Sequence, residues 1–280
     1  MGAVDLAESR IAWIASFPKS GNTWVRLLLE SLRQGRRPEL NSLSGVSGAG
    51  STQWVTGADG LASNLSFSES LAVGRSVAAL QRSLDGSYVT VKTHEAFLAE
   101  EDGYPRCWQP TGAKVVYVVR DPRAVAVSWA HHLGISHAQA VEAMAIDRPT
   151  PLQPHESHPR QHTSSWSINV RSWLDQEVIP VLLLRYEDLL AQPERLVADL
   201  AEWLEMKVGP QSITDAIEAC SFDHLATAEL LDGFREAASV ERVFFRRGSA
   251  SSWREELSVD LQERVVEDHG VIMRRLGYVT

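Results

Sequence analysis

An α/β fold with a central, mainly parallel sheet flanked by helices is predicted by three observations. The run Val115-Val116-Tyr117-Val118-Val119 is apolar without alternation, as in a strand covered on both faces. Strand-like runs are followed by a loop and then by helical spacing, the order of a doubly wound sheet. The last third of the chain reads mainly as helices, which would cover that sheet.

Runs rich in β-branched and aromatic residues predict strands from Ile11 to Ser16, Tyr88 to Lys92, Lys114 to Arg120 and Val181 to Arg185. Helices are expected from Trp24 to Leu32 after the first strand and from Ala124 to His132 after the third. Further helices are expected from Glu194 to Leu204, Gln211 to Ala219 and Leu257 to Leu276, where apolar residues recur near i, i+3 and i+4. Residues 41–74, rich in Ser, Gly and Ala, and residues 147–164, with four prolines and three histidines, read as long loops. Loops of that length are either lids and substrate-binding segments or disordered. With 280 residues and 44% hydrophobic content the chain can bury one large core, so a single domain over 1–280 is expected.

A net charge of −9 argues against a nucleic-acid partner, which calls for a basic surface field, so any anion site must be local. Cys107 and Cys220 lie far apart without a Cys-x-x-Cys pattern and read as packed thiols in a reducing cytoplasm. The N-terminus lacks the basic and apolar regions of a signal peptide, and no apolar run nears the ~20 residues of a spanning helix, so no membrane partner is expected. His155, His158 and His162 lie among prolines without cysteine ligands, and no metal site is predicted there.

The first strand runs into Phe17-Pro18-Lys19-Ser20-Gly21-Asn22-Thr23-Trp24, which opens a helix. Such a turn aims backbone N–H groups and the positive end of the helix dipole at one point, a place for an anion. Gly21 permits close backbone approach, Lys19 adds charge, and Ser20 and Thr23 bring hydroxyl donors. Gly-x-x-x-x-Gly-Lys-Ser/Thr is absent, so the loop is P-loop-like without being the nucleotide-triphosphate P-loop. It suits a transferred group carrying less charge than a γ-phosphate. The third strand runs into Arg120-Asp121-Pro122-Arg123, with Ser128 about two helical turns on, at the strand end where open α/β sheets bind ligands.

The loop resembles the Pro-Lys-Ser-Gly-Thr-Thr-Trp signature of sulfotransferases that use 3′-phosphoadenosine 5′-phosphosulfate (PAPS), with Asn22 in place of a threonine. Other segments resemble that family in matching order: Val91-Lys92-Thr93-His94, Arg120 to Ser128, Arg185-Tyr186-Glu187-Asp188-Leu189, Ser221-Phe222, and Phe244 to Trp253. Ser251 and Ser252 replace a glycine and an aspartate of the last of these, which puts the local backbone path in question. The helix around Trp166 is also similar to one common in the family and reads as structural.

The resemblance implies sulfuryl transfer from PAPS to a hydroxyl acceptor (EC 2.8.2 type), leaving 3′-phosphoadenosine 5′-phosphate (PAP), with no metal required. It implies His94 as general base and Lys19 and Lys92 at the sulfuryl and bridging oxygens. It also implies Lys19, Ser20, Gly21, Asn22 and Thr23 at the 5′-phosphosulfate, and Arg120 and Ser128 at the 3′-phosphate. Trp24, Tyr186 and Phe222 would hold adenine, with Ser221 beside them, and Arg246, Arg247 and Gly248 would close on phosphate. The acceptor would be a small molecule or natural product, such as a phenol, an alcohol or a sugar, with the wording closest to bacterial natural-product enzymes. A small-molecule kinase of the same broad fold is the alternative, and the missing Gly-Lys-Ser/Thr argues against it. Oligomeric state is open.

Overall fold

A computed structural model describes residues 10–43, 87–97, 112–147, 163–237, 239 and 242–280. The two long loops predicted at 41–74 and 147–164 fall almost wholly outside those residues, as do Cys107 and the histidines at 155, 158 and 162.

Four strands, β1 (Ile11–Ala15), β2 (Val89–Thr93), β3 (Lys114–Val119) and β4 (Val181–Arg185), form one parallel sheet in the order β2-β1-β3-β4. The helices of the described residues are α1 (Asn22–Gln34), α2 (Pro122–Leu133), α3 (His137–Ala145), α4 (Trp166–Asp175), α5 (Tyr186–Ala191), α6 (Pro193–Trp203), α7 (Pro210–Ala219), α8 (Phe222–Asp232), α9 (Trp253–Glu256) and α10 (Val259–Arg275). All four predicted strands are present within a residue of their expected ends. Ser16 and Arg120 fall one residue past the ends of β1 and β3.

Period-two alternation divides the core between the sheet's faces. Ile11, Trp13 and Ala15 join Tyr117, Trp129 of α2, Met144 of α3, Trp173 of α4 and Met273 of α10 in one cluster. Ala12 and Ile14 join Val116, Val118, Leu28 of α1, Leu200 of α6 and Leu225 of α8 in the other. The helix after β1 therefore packs on one face and the helix after β3 on the opposite face. A crevice opens between the carboxyl ends of β1 and β3, where the chain reverses its direction of winding.

α4 does more than cover the sheet. Ser165 caps it by accepting from the Ile168 N–H at 3.3 Å. From its buried face Asn169 donates to the carbonyls of His94 (3.0 Å) and Thr163 (2.8 Å), while its own carbonyl oxygen accepts from the Tyr117 hydroxyl at 2.7 Å. Burial raises the proton affinity of that hydroxyl well above its ordinary value, and the nearby Phe17 N–H works against the rise. One turn on, Trp173 donates to the Glu95 carbonyl and the Ser172 hydroxyl accepts from Phe97 N–H, each at 2.8 Å. The loop after β2 and the segment before α4 are thus held to β3 through one fully buried amide. Asn169→Ala would orphan a buried hydroxyl and two carbonyls, and should lower unfolding free energy by about 3 kcal/mol, read as a loss of cooperative thermal stability.

Candidate active site

The turn between β1 and α1 takes two left-handed residues, one on each side of Ser20, short of the helix: Lys19 at φ 64 and Gly21 at φ 108. Only glycine fits the second, because a Cβ there would stand 2.7 Å from a ring carbon of Tyr186. Lysine at the first carries strain that the surrounding structure must hold. The Asn22 amide donates to the Ile14 carbonyl at 2.7 Å and to the Ser16 hydroxyl at 3.3 Å, tying the turn to β1. Both Asn22 side-chain N–H groups are thus engaged by β1 and the residue after it, while Asn22 still lines the cavity. Ser20, in contrast, holds a fully buried hydroxyl without a hydrogen-bond partner among the described residues, a donor in want of an acceptor.

A cavity of about 270 Å³ lies beside this turn. Of the residues assigned to the site from sequence, all but Ser20 and Ser221 line it, although they come from the turn into α1 and its first residues, the end of β2 and the residue after it, the residue after β3 and α2, the first residues of α5 and α8, and the segment before α9. Arg120 donates to the Lys19 carbonyl (3.3 Å) and the Ser249 carbonyl (2.8 Å), and its guanidinium stacks 4.4 Å from the Tyr186 ring centroid. Its Nε has no partner among the described residues. Trp24 donates to the Cys220 carbonyl at 2.9 Å and meets Tyr186 edge-on, so the two aromatics form one wall. Phe222 stands against Gly248, whose φ of 59 and closeness to that ring, 2.4 Å from a built Cβ, admit no side chain.

Ser252 lies at φ −58 and Ser251 is not among the left-handed residues, so the two serines that replace a glycine and an aspartate need no strained backbone. The Arg246 fork is bound to Glu256 at 2.6 and 3.0 Å, and Arg247 lies 3.7 Å from the same carboxylate.

His94 follows β2 and is partly buried. Its Nδ1–H donates to the Ser16 carbonyl at 2.9 Å, with the Ser16 hydroxyl 3.2 Å away, which leaves Nε2 with a free lone pair. Burial, then the Lys92 charge, pushes the imidazole down to about 3, so it is neutral at physiological pH. Lys19 Nζ sits 3.6 Å over the Phe244 ring, and burial with the nearby charge of Lys92 brings its ammonium down to about 7. Lys92 is also lowered by burial, against the pull of Glu236.

Sequence reasoning missed four residues that share the site. Glu236 accepts from Thr23 Oγ1, Arg26 and Lys92. Arg26 lies one helical turn after Thr23, a charge inside an apolar helical run that marks it in the sequence. His132 lines the cavity beside Phe244, pushed down to about 3 by burial and the charges of Lys19 and Lys92. Glu229 accepts the N–H groups of Phe244 and Phe245 and fixes the aromatic segment over Lys19. Among the described residues no group of three or more His, Cys, Asp or Glu is placed to hold a metal ion, and no helix is long and apolar enough to cross a membrane.

The family model described as "Sulfotransferase domain" matches residues 10–277. Sulfotransferase 1B1 of Canis lupus familiaris is 25% identical over 262 residues, covering 90% of this chain and 79% of the relative. The flavonol 3-sulfotransferase of Flaveria bidentis is 22% identical over 277 residues, 92% of this chain and 80% of the relative. Among solved structures, retinol dehydratase with androsterone and inactive cofactor PAP superposes with a TM-score of 0.66 at 19% identity, covering 95% of this chain and 81% of that one. Mouse sulfotransferase SULT7A1 complexed with PAP superposes with a TM-score of 0.62 at 17% identity, covering 96% and 85%. These superpositions show the same fold.

Because the Lys19 ammonium is partly discharged near pH 7, an anion bound beside it should draw a proton in. Calorimetric titration with PAP at pH 8, in two buffers of different ionisation enthalpy, should register proton uptake that Lys19→Ala abolishes.

Proposed function

The chain belongs to the sulfotransferase domain family, and on that premise we propose that it transfers a sulfuryl group from PAPS to a hydroxyl of a small-molecule acceptor, with His94 as general base. One observation carries the reading: a neutral imidazole with a free Nε2, two lysine side chains and a helix N-terminus meet at one cavity, with the buried Ser20 hydroxyl in the turn beside it.

PAPS supplies an activated sulfur whose bond to the 5′-phosphate oxygen is broken in the reaction. The chain's residues do the rest. Backbone N–H groups of residues 20–23, the Ser20 and Thr23 hydroxyls and Lys19 bind the phosphosulfate. Arg120 and Ser128 bind the 3′-phosphate; Arg246 and Arg247 can join them if phosphate takes the place of Glu256. Trp24, Tyr186 and Phe222 wall the base. His94 Nε2 takes the acceptor's proton as its oxygen bonds to sulfur; the electron pair of the broken S–O bond passes to the 5′-phosphate oxygen, whose charge Lys19 and Lys92 neutralise. The Nδ1–H bond to the Ser16 carbonyl fixes the tautomer this requires and steadies the imidazolium that forms. An imidazole near 3 is a feeble base alone, and anionic charge brought beside it raises its proton affinity.

The relatives' names include a flavonol and a luciferin acceptor, and the aromatic lining at Phe244 and Phe245 favours a flat, largely apolar alcohol or phenol of that kind. We place the enzyme in the cytoplasm, acting on a small molecule or bacterial natural product, as one domain over 1–280.

His94→Ala should lower kcat for sulfuryl transfer by about 10² to 10⁴ with little change in PAP affinity, measured by transfer from labelled PAPS; unchanged turnover contradicts the assignment. Arg120→Ala combined with Ser128→Ala should weaken PAP by at least about tenfold while leaving the affinity for adenosine diphosphate nearly unaltered, since each group removed serves the 3′-phosphate.

A further inference from the structure

A carboxylate stands inside the cationic pocket. Glu236 Oε2 accepts from the Thr23 hydroxyl at 2.8 Å and from Lys92 Nζ at 3.1 Å, and Oε1 accepts from Arg26 Nη1 at 2.6 Å. Thr23 lies in the first turn of α1 and Lys92 one residue short of the end of β2, so one acidic oxygen occupies the point where the two elements' donors converge. Those are two of the groups just assigned to the donor's anion. A second anion cannot share them, because two like charges on the same donors at hydrogen-bond range repel strongly in a buried site.

The turn that carries Glu236 does not depend on this carboxylate for its place. Arg235 N–H donates to Asn41 Oδ1 at 2.9 Å, its guanidinium also bonds the Asn41 carbonyl, and Asn41 Nδ2 donates to the Gly233 carbonyl at 3.1 Å. Phe234 packs among Phe244 and Phe245 on the other side. With backbone and neighbours held separately, the glutamate's rotatable bonds can carry its charge out of the pocket while the turn stays put.

We infer that Glu236 is an internal stand-in for the donor's anion, and that PAPS binds by exchange: the glutamate withdraws, and Thr23, Lys92 and the otherwise hidden Arg26 pass to the phosphosulfate. This rests on the donor reading above and adds Arg26 to the groups that bind the donor. The exchange lowers apparent donor affinity by the fraction of molecules in which the carboxylate is withdrawn. It also keeps three buried donors satisfied when the pocket holds no nucleotide.

The test is calorimetric titration of the wild type and of Glu236→Gln with PAP and with adenosine diphosphate. Glutamine keeps the shape and removes the charge. The expected result is a preference for PAP over adenosine diphosphate in both proteins and PAP binding at least about tenfold tighter in the variant. A wild type that prefers PAP, with a variant that binds it no more tightly, overturns the exchange and leaves the donor reading standing. Absence of a PAP preference in both overturns the donor reading and the exchange with it. Should Glu236→Gln not fold, Glu236→Asp keeps the charge but retracts it by one methylene; a gain of about threefold supports the exchange, and no gain overturns it.

Discussion

The turn from β1 into α1 sets the terms for the rest of the site. Lys19 at φ 64 and Gly21 at φ 108 bend the chain so that its N–H groups face outward from the helix start, and that path is costly for any residue but glycine. It holds because it is bonded from both sides. Asn22 ties it back to Ile14, and the Ser16 carbonyl accepts from Nδ1 of His94, whose own carbonyl is held by Asn169. The anion-binding turn and the histidine are therefore parts of one rigid piece, as a reaction that must align a donor with a base requires.

A chain of net charge −9 nonetheless places Lys19, Lys92, Arg120, Arg246 and Arg247 around this crevice, with Arg26 behind it. Buried positive charge is tolerated where it has a partner, and the partners here are of three kinds. Lys92 and Arg26 have the Glu236 carboxylate; Arg246 has Glu256; Arg120 has carbonyls and the Tyr186 ring. Among the described residues Lys19 has the face of Phe244 and neighbouring charges, and gives up part of its affinity for a proton. Substrate binding can then proceed largely by replacing acidic partners with phosphate oxygens, which asks little new desolvation of the cations themselves.

The sheet and the anion turn were legible in sequence because their signals are local. An apolar run such as Val115 to Val119 and a lysine, glycine and hydroxyl group within a few residues declare themselves over a short window. The helix after β3 begins two residues earlier than its apolar spacing suggests, where Asp121 caps it. What stayed hidden is long-range. Glu236 meets Lys92 across 144 positions and Asn169 meets His94 across 75, so neither pairing leaves a pattern along the chain. Helix α4 illustrates the limit: its existence was foreseen, but its role in holding His94 appears only once the loops are brought together. Asn22 shows the converse, a substitution whose amide suits an anion in composition and serves the strand in geometry.

The claim at the centre of this account is that the β1–α1 turn and the loop after β3 grip opposite ends of one nucleotide. A crystal structure of the complex with PAP tests it directly. The account predicts the 5′-phosphate within hydrogen-bonding distance of the N–H groups of residues 20–23 and the 3′-phosphate between Arg120 and Ser128, with adenine against Trp24. A nucleotide bound elsewhere, or with its 3′-phosphate turned to solvent, would contradict it.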